Sequence, residues 1–284
     1  GWIENRQVVD LIDHAVSQYG RKVKFLTFGE VDERLQRHLL AGESLRTVHG
    51  TDNGVRLCDV NCDGYMDVII GNANKQVTRI WSAVDNQWLE SGFPVPLFPA
   101  TVSDRPLVAD VQFGVLRKNG LPSLFVSRED ASGLWHFARG TWRKDPGGLS
   151  KLTHNGPVHT SGDNGDTGVR LRDLDGDGVC ELVLSNPKQQ AVFSWTGEQW
   201  RVADFALPQG LTIVDQNGRD AGLRFVDLNE DGYDDVVFSN ASRFAAYLFG
   251  RSGGGWTSKL MAGRRRGAEG ELPMIVRGDG TNNG

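Results

Sequence analysis

The sequence predicts a mainly β chain: four four-stranded antiparallel blades and the start of a fifth, preceded by a short N-terminal α/β segment. Two observations predict it. A motif recurs three times without gaps, as Gly54-Val-Arg-Leu-Cys-Asp59, Gly168-Val-Arg-Leu-Arg-Asp173 and Gly222-Leu-Arg-Phe-Val-Asp227, and self-similarity of this kind marks a repeat architecture. The composition agrees: 36 Gly and 10 Pro accompany 8 Trp and 13 Phe in 284 residues, a balance suited to tight turns between short aromatic-rich strands.

Residues 1–46 stand apart from the repeats. Val8, Val9, Ile12, Ala15, Val16 and Tyr19 fall at helical spacing over 5–19, with Asn5 available as a cap and Gly20 as a stop. Val23–Phe28 reads as a strand, and Glu30–Leu40 as a second helix with Val31, Leu35, Leu39 and Leu40 on one side. Such a helix-strand-helix unit cannot bury its apolar faces alone and is expected to dock on upstream structure or on the repeats after it. His14 lies off the apolar stripe and reads as solvated.

The repeats occupy 47–284. After each motif, Asp67, Glu181 and Asp235 stand eight residues beyond the first aspartate, and Asn72, Asn186 and Asn240 five beyond that. In the first copy the strands are expected at about 54–59, 67–72, 77–82 and 87–90, joined by turns such as Ala73-Asn74-Lys75-Gln76. Leu107-Val-Ala-Asp110, followed by Ser123-Leu-Phe-Val-Ser127, reads as a divergent copy. The blades are placed at about 50–100, 101–160, 161–215 and 216–275. A fifth begins near 276, where Asp279-Gly-Thr-Asn-Asn-Gly284 repeats the approach Thr51-Asp52-Asn53-Gly54.

Aromatics follow the period: Trp81, Trp195 and Phe249, then Trp88, Trp200 and Trp256, with Trp135 and Trp142 in the divergent copy. They are expected to fill the core between blades rather than to form a sugar-stacking platform. Radially repeated four-stranded sheets make a β-propeller, and four blades with the start of a fifth predict an open arc of a larger ring.

Composition narrows the function. The formal net charge is -5, and the only basic run is Arg264-Arg265-Arg266, so no nucleic-acid footprint is expected. No stretch reaches the roughly 18 to 20 apolar residues needed to span a bilayer. Cys58, Cys62 and Cys180 make no disulfide framework; free thiols are expected, with a Cys58–Cys62 bridge as the alternative.

The chemistry concentrates in three acidic loops. They carry Asp59, Asn61, Asp63, Tyr65 and Asp67; Asp173, Asp175, Asp177, Val179 and Glu181; and Asp227, Asn229, Asp231, Tyr233 and Asp235. Oxygen side chains recur at loop positions 1, 3, 5 and 9, a glycine sits at 6, and the carbonyl at 7 can complete the set. This suits Ca²⁺, a hard cation taking six to eight oxygens. Without an ion the crowded carboxylates repel one another and oppose the hairpin. A plain Asp/Asn/Gly turn is the alternative. An EF-hand is excluded, because position 12 is Ile70, Leu184 or Phe238. The divergent copy, with Val111-Gln112-Phe113-Gly114 after Asp110, lacks ligands and is not expected to bind. Three structural Ca²⁺ would turn the net charge of -5 into about +1.

On these loops, residues 50–284 resemble FG-GAP/VCBS repeats, the calcium-bearing blades of integrin-α-like propellers. The resemblance implies an extracellular or periplasmic location, structural metal ions, and binding of a polysaccharide or extracellular protein ligand. Weak sites with dissociation constants of about 10⁻⁴ to 10⁻³ M, typical of extracellular modules, would fill only outside the cytosol. Residues 2–40, with Leu11-Ile12-Asp13-His14-Ala15-Val16 and Lys24-Phe25-Leu26-Thr27-Phe28, resemble the last helix-strand-helix of polysaccharide deacetylase-like barrels. The metal ligands and base of that family lie earlier in its barrel, so none transfers here.

The function expected is therefore a non-catalytic, calcium-stabilised propeller module for glycan or protein binding, with no catalytic residue in the chain. Two alternatives remain: an accessory propeller of a deacetylase-like hydrolase, or a lyase or dehydrogenase propeller whose site lies on further blades. No Gly-x-Ser-x-Gly, His-Glu-x-x-His or phosphate loop is present, and His154 and His159 share a loop without a third ligand. Arg277-Gly278-Asp279 spells an adhesion tripeptide but also leads into the fifth blade.

Overall fold

The structure, a computed structural model, describes residues 4–98, 110–250 and 254–282. It is mainly β, with two short helices at the N-terminal end. Helix α1 is Asn5–Tyr19; Glu4, not Asn5, caps it, through a capping box with Gln7. Helix α2 is Phe28–Arg34, capped by the Thr27 and Glu30 pair, and a π turn, Leu35–Leu39, extends it. Residues 23–27 do not form the expected strand. They are extended at both ends, but with no neighbouring strand among the described residues to pair with, the backbone builds no ladder.

Four antiparallel four-stranded sheets come next, each in simple sequential order. The first holds β1 (Val55–Cys58), β2 (Asp67–Gly71), β3 (Gln76–Ser82) and β4 (Gln87–Gly92), within two residues of the sequence expectation. The second holds β5 (Gln112–Val115), β6 (Pro122–Ser127), β7 (Ser132–Ala138) and β8 (Thr141–Asp145). A two-stranded hairpin, β9 (Ser161–Gly162) and β10 (Gly165–Asp166), precedes the third sheet, β11 (Val169–Arg172), β12 (Glu181–Ser185), β13 (Gln190–Trp195) and β14 (Trp200–Val202). The fourth is β15 (Leu223–Val226), β16 (Asp235–Ser239), β17 (Arg243–Leu248) and β18 (Ser258–Arg264).

The period-2 alternation of each second strand explains how the sheets stack. In β6, Leu124 and Val126 join the core shared with the first sheet, while Phe125 joins the core shared with the third. In β12, Leu182 and Leu184 face the second sheet and Val183 the fourth. In β2, Ile69 faces the second sheet, whereas Val68 and Ile70 pack against Leu39 and Leu40. The end of the π turn therefore covers the first sheet, and Arg79 secures it. The Arg79 guanidinium donates to the carbonyls of His38 and Leu39, pairs with Glu90 at 2.7 Å and lies 4.6 Å over the Trp88 ring. In β16, Val236 and Phe238 face the third sheet and Val237, on the other side, is half-buried. Four sequential four-stranded sheets that share a core with the next in line are consistent with a partial propeller.

The periodic aromatics are mostly core. Trp200 is 1% exposed, and Trp135, Trp142 and Trp195 are each 8% exposed. Partners at the end of the third strand and start of the fourth meet at 5.2–5.3 Å in every sheet: Trp81 with Trp88, Phe137 with Trp142, Trp195 with Trp200, and Phe249 with Trp256.

The divergent unit requires a correction. Leu107–Ala109 lie outside the described residues, and Asp110 does not open a loop between strands. It precedes β5, buried against Arg128 and Ser161. The hairpin between β5 and β6 is 116–121, Leu-Arg-Lys-Asn-Gly-Leu, and Pro122 occupies the register position of Asp67. The three cysteines are free.

Trp142 joins two sheets, since its Nε1 donates to Thr78 Oγ1 at 2.9 Å and its ring meets Phe93 and Phe137. Trp142→Ala is expected to cost about 3 to 5 kcal/mol in chemical denaturation, and Trp142→Phe less, because the ring volume is largely kept.

Candidate metal centres

Each acidic hairpin spans eight residues between the first two strands of its sheet: 59–66, 173–180 and 227–234. The glycine at position 6 has φ of 82° in Gly64, 84° in Gly178 and 88° in Gly232, a left-handed backbone that side chains disfavour. The position-1 aspartate closes the turn. Asp59 accepts from the Asp63 amide at 3.1 Å and the Gly64 amide at 2.7 Å; Asp227 accepts from Asp231 at 3.0 Å and Gly232 at 2.8 Å. The position-5 aspartate accepts from the amide at position 7: Tyr65, Val179 or Tyr233.

The loops differ at position 3. Asn61 and Asn229 turn their amide nitrogens toward Asp63 and Asp231, at 3.0 and 3.1 Å, so a neutral donor tempers the charge. The 173–180 loop has no amide there. Ligand oxygens of Asp173, Asp175 and Asp177 all lie within 4.8 Å of one another. Asp173 Oδ2 accepts from Gly178, but its Oδ1 is shut off from solvent with no hydrogen-bond partner. A buried carboxylate oxygen without a donor is costly, and an all-oxygen set of this kind fits a hard dication such as Ca²⁺.

At position 9 the structure shows a role that spacing alone did not reveal. Asp67 is fully buried; Oδ2 accepts from the Val60 amide and Oδ1 from Trp81, both at 2.9 Å. Asp235 repeats this with Leu228 at 2.9 Å and Phe249 at 2.7 Å. The carboxylate thus ties the loop to the far end of the third strand. Among the described residues Glu181 accepts from the Leu174 amide alone, at 3.1 Å, and burial, reinforced by Asp175 and Asp177, pushes it up to about 7. Burial also raises Asp67. Position 12 is strand core, with Ile70, Leu184 and Phe238 at most 1% exposed. In the second sheet, the corresponding hairpin offers Arg117 and Lys118 and no carboxylate.

Sequence reasoning passed over two features. Asp52, Asp166 and Asp220 each cap the turn into the first strand and grip the arginine four residues on, Arg56, Arg170 and Arg224, with both carboxylate oxygens. The signal, an Arg two residues after each repeat glycine, is visible in the motif. The other is Ser123, His136 and Asp145, joined at 2.7 and 3.2 Å. This order resembles a nucleophilic triad, yet Ser123 is fully buried and no substrate carbonyl could reach its hydroxyl.

A family model described as an FG-GAP-like repeat matches residues 173–238, which take in the second and third acidic loops. No curated protein matches the chain. Among solved structures, an Agrocybe aegerita lectin, described for specific recognition of non-reducing terminal N-acetylglucosamine, matches at a TM-score of 0.40 and 16% identity. The match covers 73% of this chain and 50% of the lectin, so the chain spans about half the length of that structure.

Asp67→Ala is expected to lose about 2 to 4 kcal/mol whether or not Ca²⁺ is present, since it strands two buried amides; paired melts in calcium and chelator check this. His136 gives a pH dependence. Burial, then Arg117, holds it below its usual 6.5, so the folded state prefers the neutral ring. Its contribution is whole above pH 6.5 and lost as pH falls toward the lower folded value, where the unfolded chain binds the proton first. Melting temperature should drop with acid below pH 6.5, and His136→Gln should flatten that slope.

Proposed function

We propose that the chain is a non-catalytic calcium-binding module, an arc of a propeller, whose acidic hairpins hold structural ions and whose loops bind a polysaccharide or protein ligand outside the cytosol. The observation that carries the reading is the unpartnered, solvent-shut Asp173 Oδ1 beside Asp175 and Asp177, in a loop whose pattern recurs at the same place in two more sheets. The ligand set is Asp59, Asn61, Asp63, Asp173, Asp175, Asp177, Asp227, Asn229 and Asp231, with the carbonyls of Tyr65, Val179 and Tyr233. Asp67, Glu181 and Asp235 stand at the foot of each loop, and an oxygen that accepts an amide can still face a cation. The FG-GAP-like match supports a repeat module of this class.

The three loops should rank. The 173–180 loop has a third carboxylate where the others have an amide, so it should hold the ion most tightly. Bound Ca²⁺ supplies positive charge that offsets the repulsion among these carboxylates, and hence opposes unfolding.

Melting in calcium against chelator tests this. A ligand bound only to the folded state at a hundredfold excess over its dissociation constant adds about 2.7 kcal/mol. Calcium should raise the melt by several degrees, and Asp173→Ala should remove the largest share of that shift. An identical melt in calcium and chelator would sink the reading. Glycan-array binding of the calcium-loaded chain then addresses the ligand.

A further inference from the structure

The acidic hairpins of the third and fourth sheets are joined directly. Arg172, immediately before Asp173, donates from Nε to Asp234 Oδ2 at 2.6 Å. Asp234 immediately precedes Asp235 and is not in the ligand set. Its amide donates to the carbonyl of Leu174 at 3.0 Å, and Leu174 sits between Asp173 and Asp175, its own amide held by Glu181. The Asp234 carbonyl is held in turn by Trp256 Nε1 at 2.8 Å. The two loops also touch through backbone: a Cβ on Gly176 would stand 2.7 Å from the Gly232 carbonyl, and Gly232 is the turn glycine between Asp231 and Tyr233. The 59–66 loop has a different neighbour. It faces the basic hairpin of the second sheet, which it meets through a thiol contact from Cys62 Sγ to the Gly120 carbonyl at 3.5 Å.

We infer that the ion sites of the 173–180 and 227–234 loops are positively coupled, each raising the affinity of the other through the Arg172–Asp234–Leu174 link, while the 59–66 loop binds alone. The inference rests on the calcium reading above. Closing either loop fixes the segment they share, Arg172 to Leu174 and Asp234, so the second ion meets a partner already ordered. Two dications in adjacent hairpins repel each other. Direct electrostatics would therefore give coupling of the opposite sign, and the sign identifies the mechanical link.

Calcium isotherms from titration calorimetry on the whole chain test it, in an Asp63→Ala background that silences the first loop. Adding Asp175→Ala should weaken the remaining 227–234 site roughly tenfold, and adding Asp231→Ala should weaken the 173–180 site by the same factor, as linkage requires. Asp234→Ala, which removes no ligand and leaves the backbone bond to Leu174, should keep both sites but reduce their mutual effect severalfold; Arg172→Leu breaks the same ion pair should Asp234→Ala fail to fold. If silencing one loop leaves the other unchanged or tightens it, the coupling is overturned while the calcium reading stands. If the parent chain takes up no calcium, both are overturned.

Discussion

A fully buried carboxylate holds two of the three acidic hairpins to their sheets. An eight-residue loop crowded with aspartates has every electrostatic reason to open, and strand pairing stops at its foot. Asp67 and Asp235 resolve this by accepting two amides at once, one from inside the loop and one from the end of the third strand. Three segments are then fixed about one point that water does not reach, where a hydrogen bond to charge counts for more than at the surface. Glu181 reaches the loop amide only, and its hairpin is the one left with an unpartnered oxygen. The loop least satisfied by its own protein is the one with a carboxylate rather than an amide at position 3, which is why it is the strongest candidate for a cation.

A comparable constraint governs the stacking. Each inner sheet is buried on both faces by a single alternating strand, so its neighbours are determined by which residues are large and apolar on each side. The first sheet has no sheet before it among the described residues, and a helical turn takes that role, its last carbonyls gripped by Arg79. The divergent sheet keeps the stacking and loses the acidic loop. The repeat therefore carries two separable functions: strand alternation stacks the sheets, and the hairpin between the first two strands carries charge.

Much of the fold is legible in the chain because repetition multiplies weak signals. Strand positions in the first sheet, the core role of the tryptophans and the exclusion of an EF-hand all follow from period and alternation, which depend on neighbours a few residues away. The two departures share a cause. Val23–Phe28 has strand-like composition, but a strand exists only where another lies beside it. The residues around Asp110 align it with the repeat aspartates, whereas its place before β5 is set by the pairing of β5 with β6 and by the guanidinium of Arg128.

Local spacing and side-chain chemistry are enough to establish the repeat, the element type within it and the residues able to hold a cation. Which carboxylates are engaged and which are free is settled by tertiary contact. Asp67 and Asp173 look alike in a motif, yet one has both oxygens bonded to backbone amides and the other has one oxygen bonded to nothing. The same holds for Arg172 and Asp234, sixty-two residues apart, whose contact no periodicity announces. Partnering of a charged group depends on what the fold carries to within about 3 Å of it from distant parts of the chain, and that distance is written only in three dimensions.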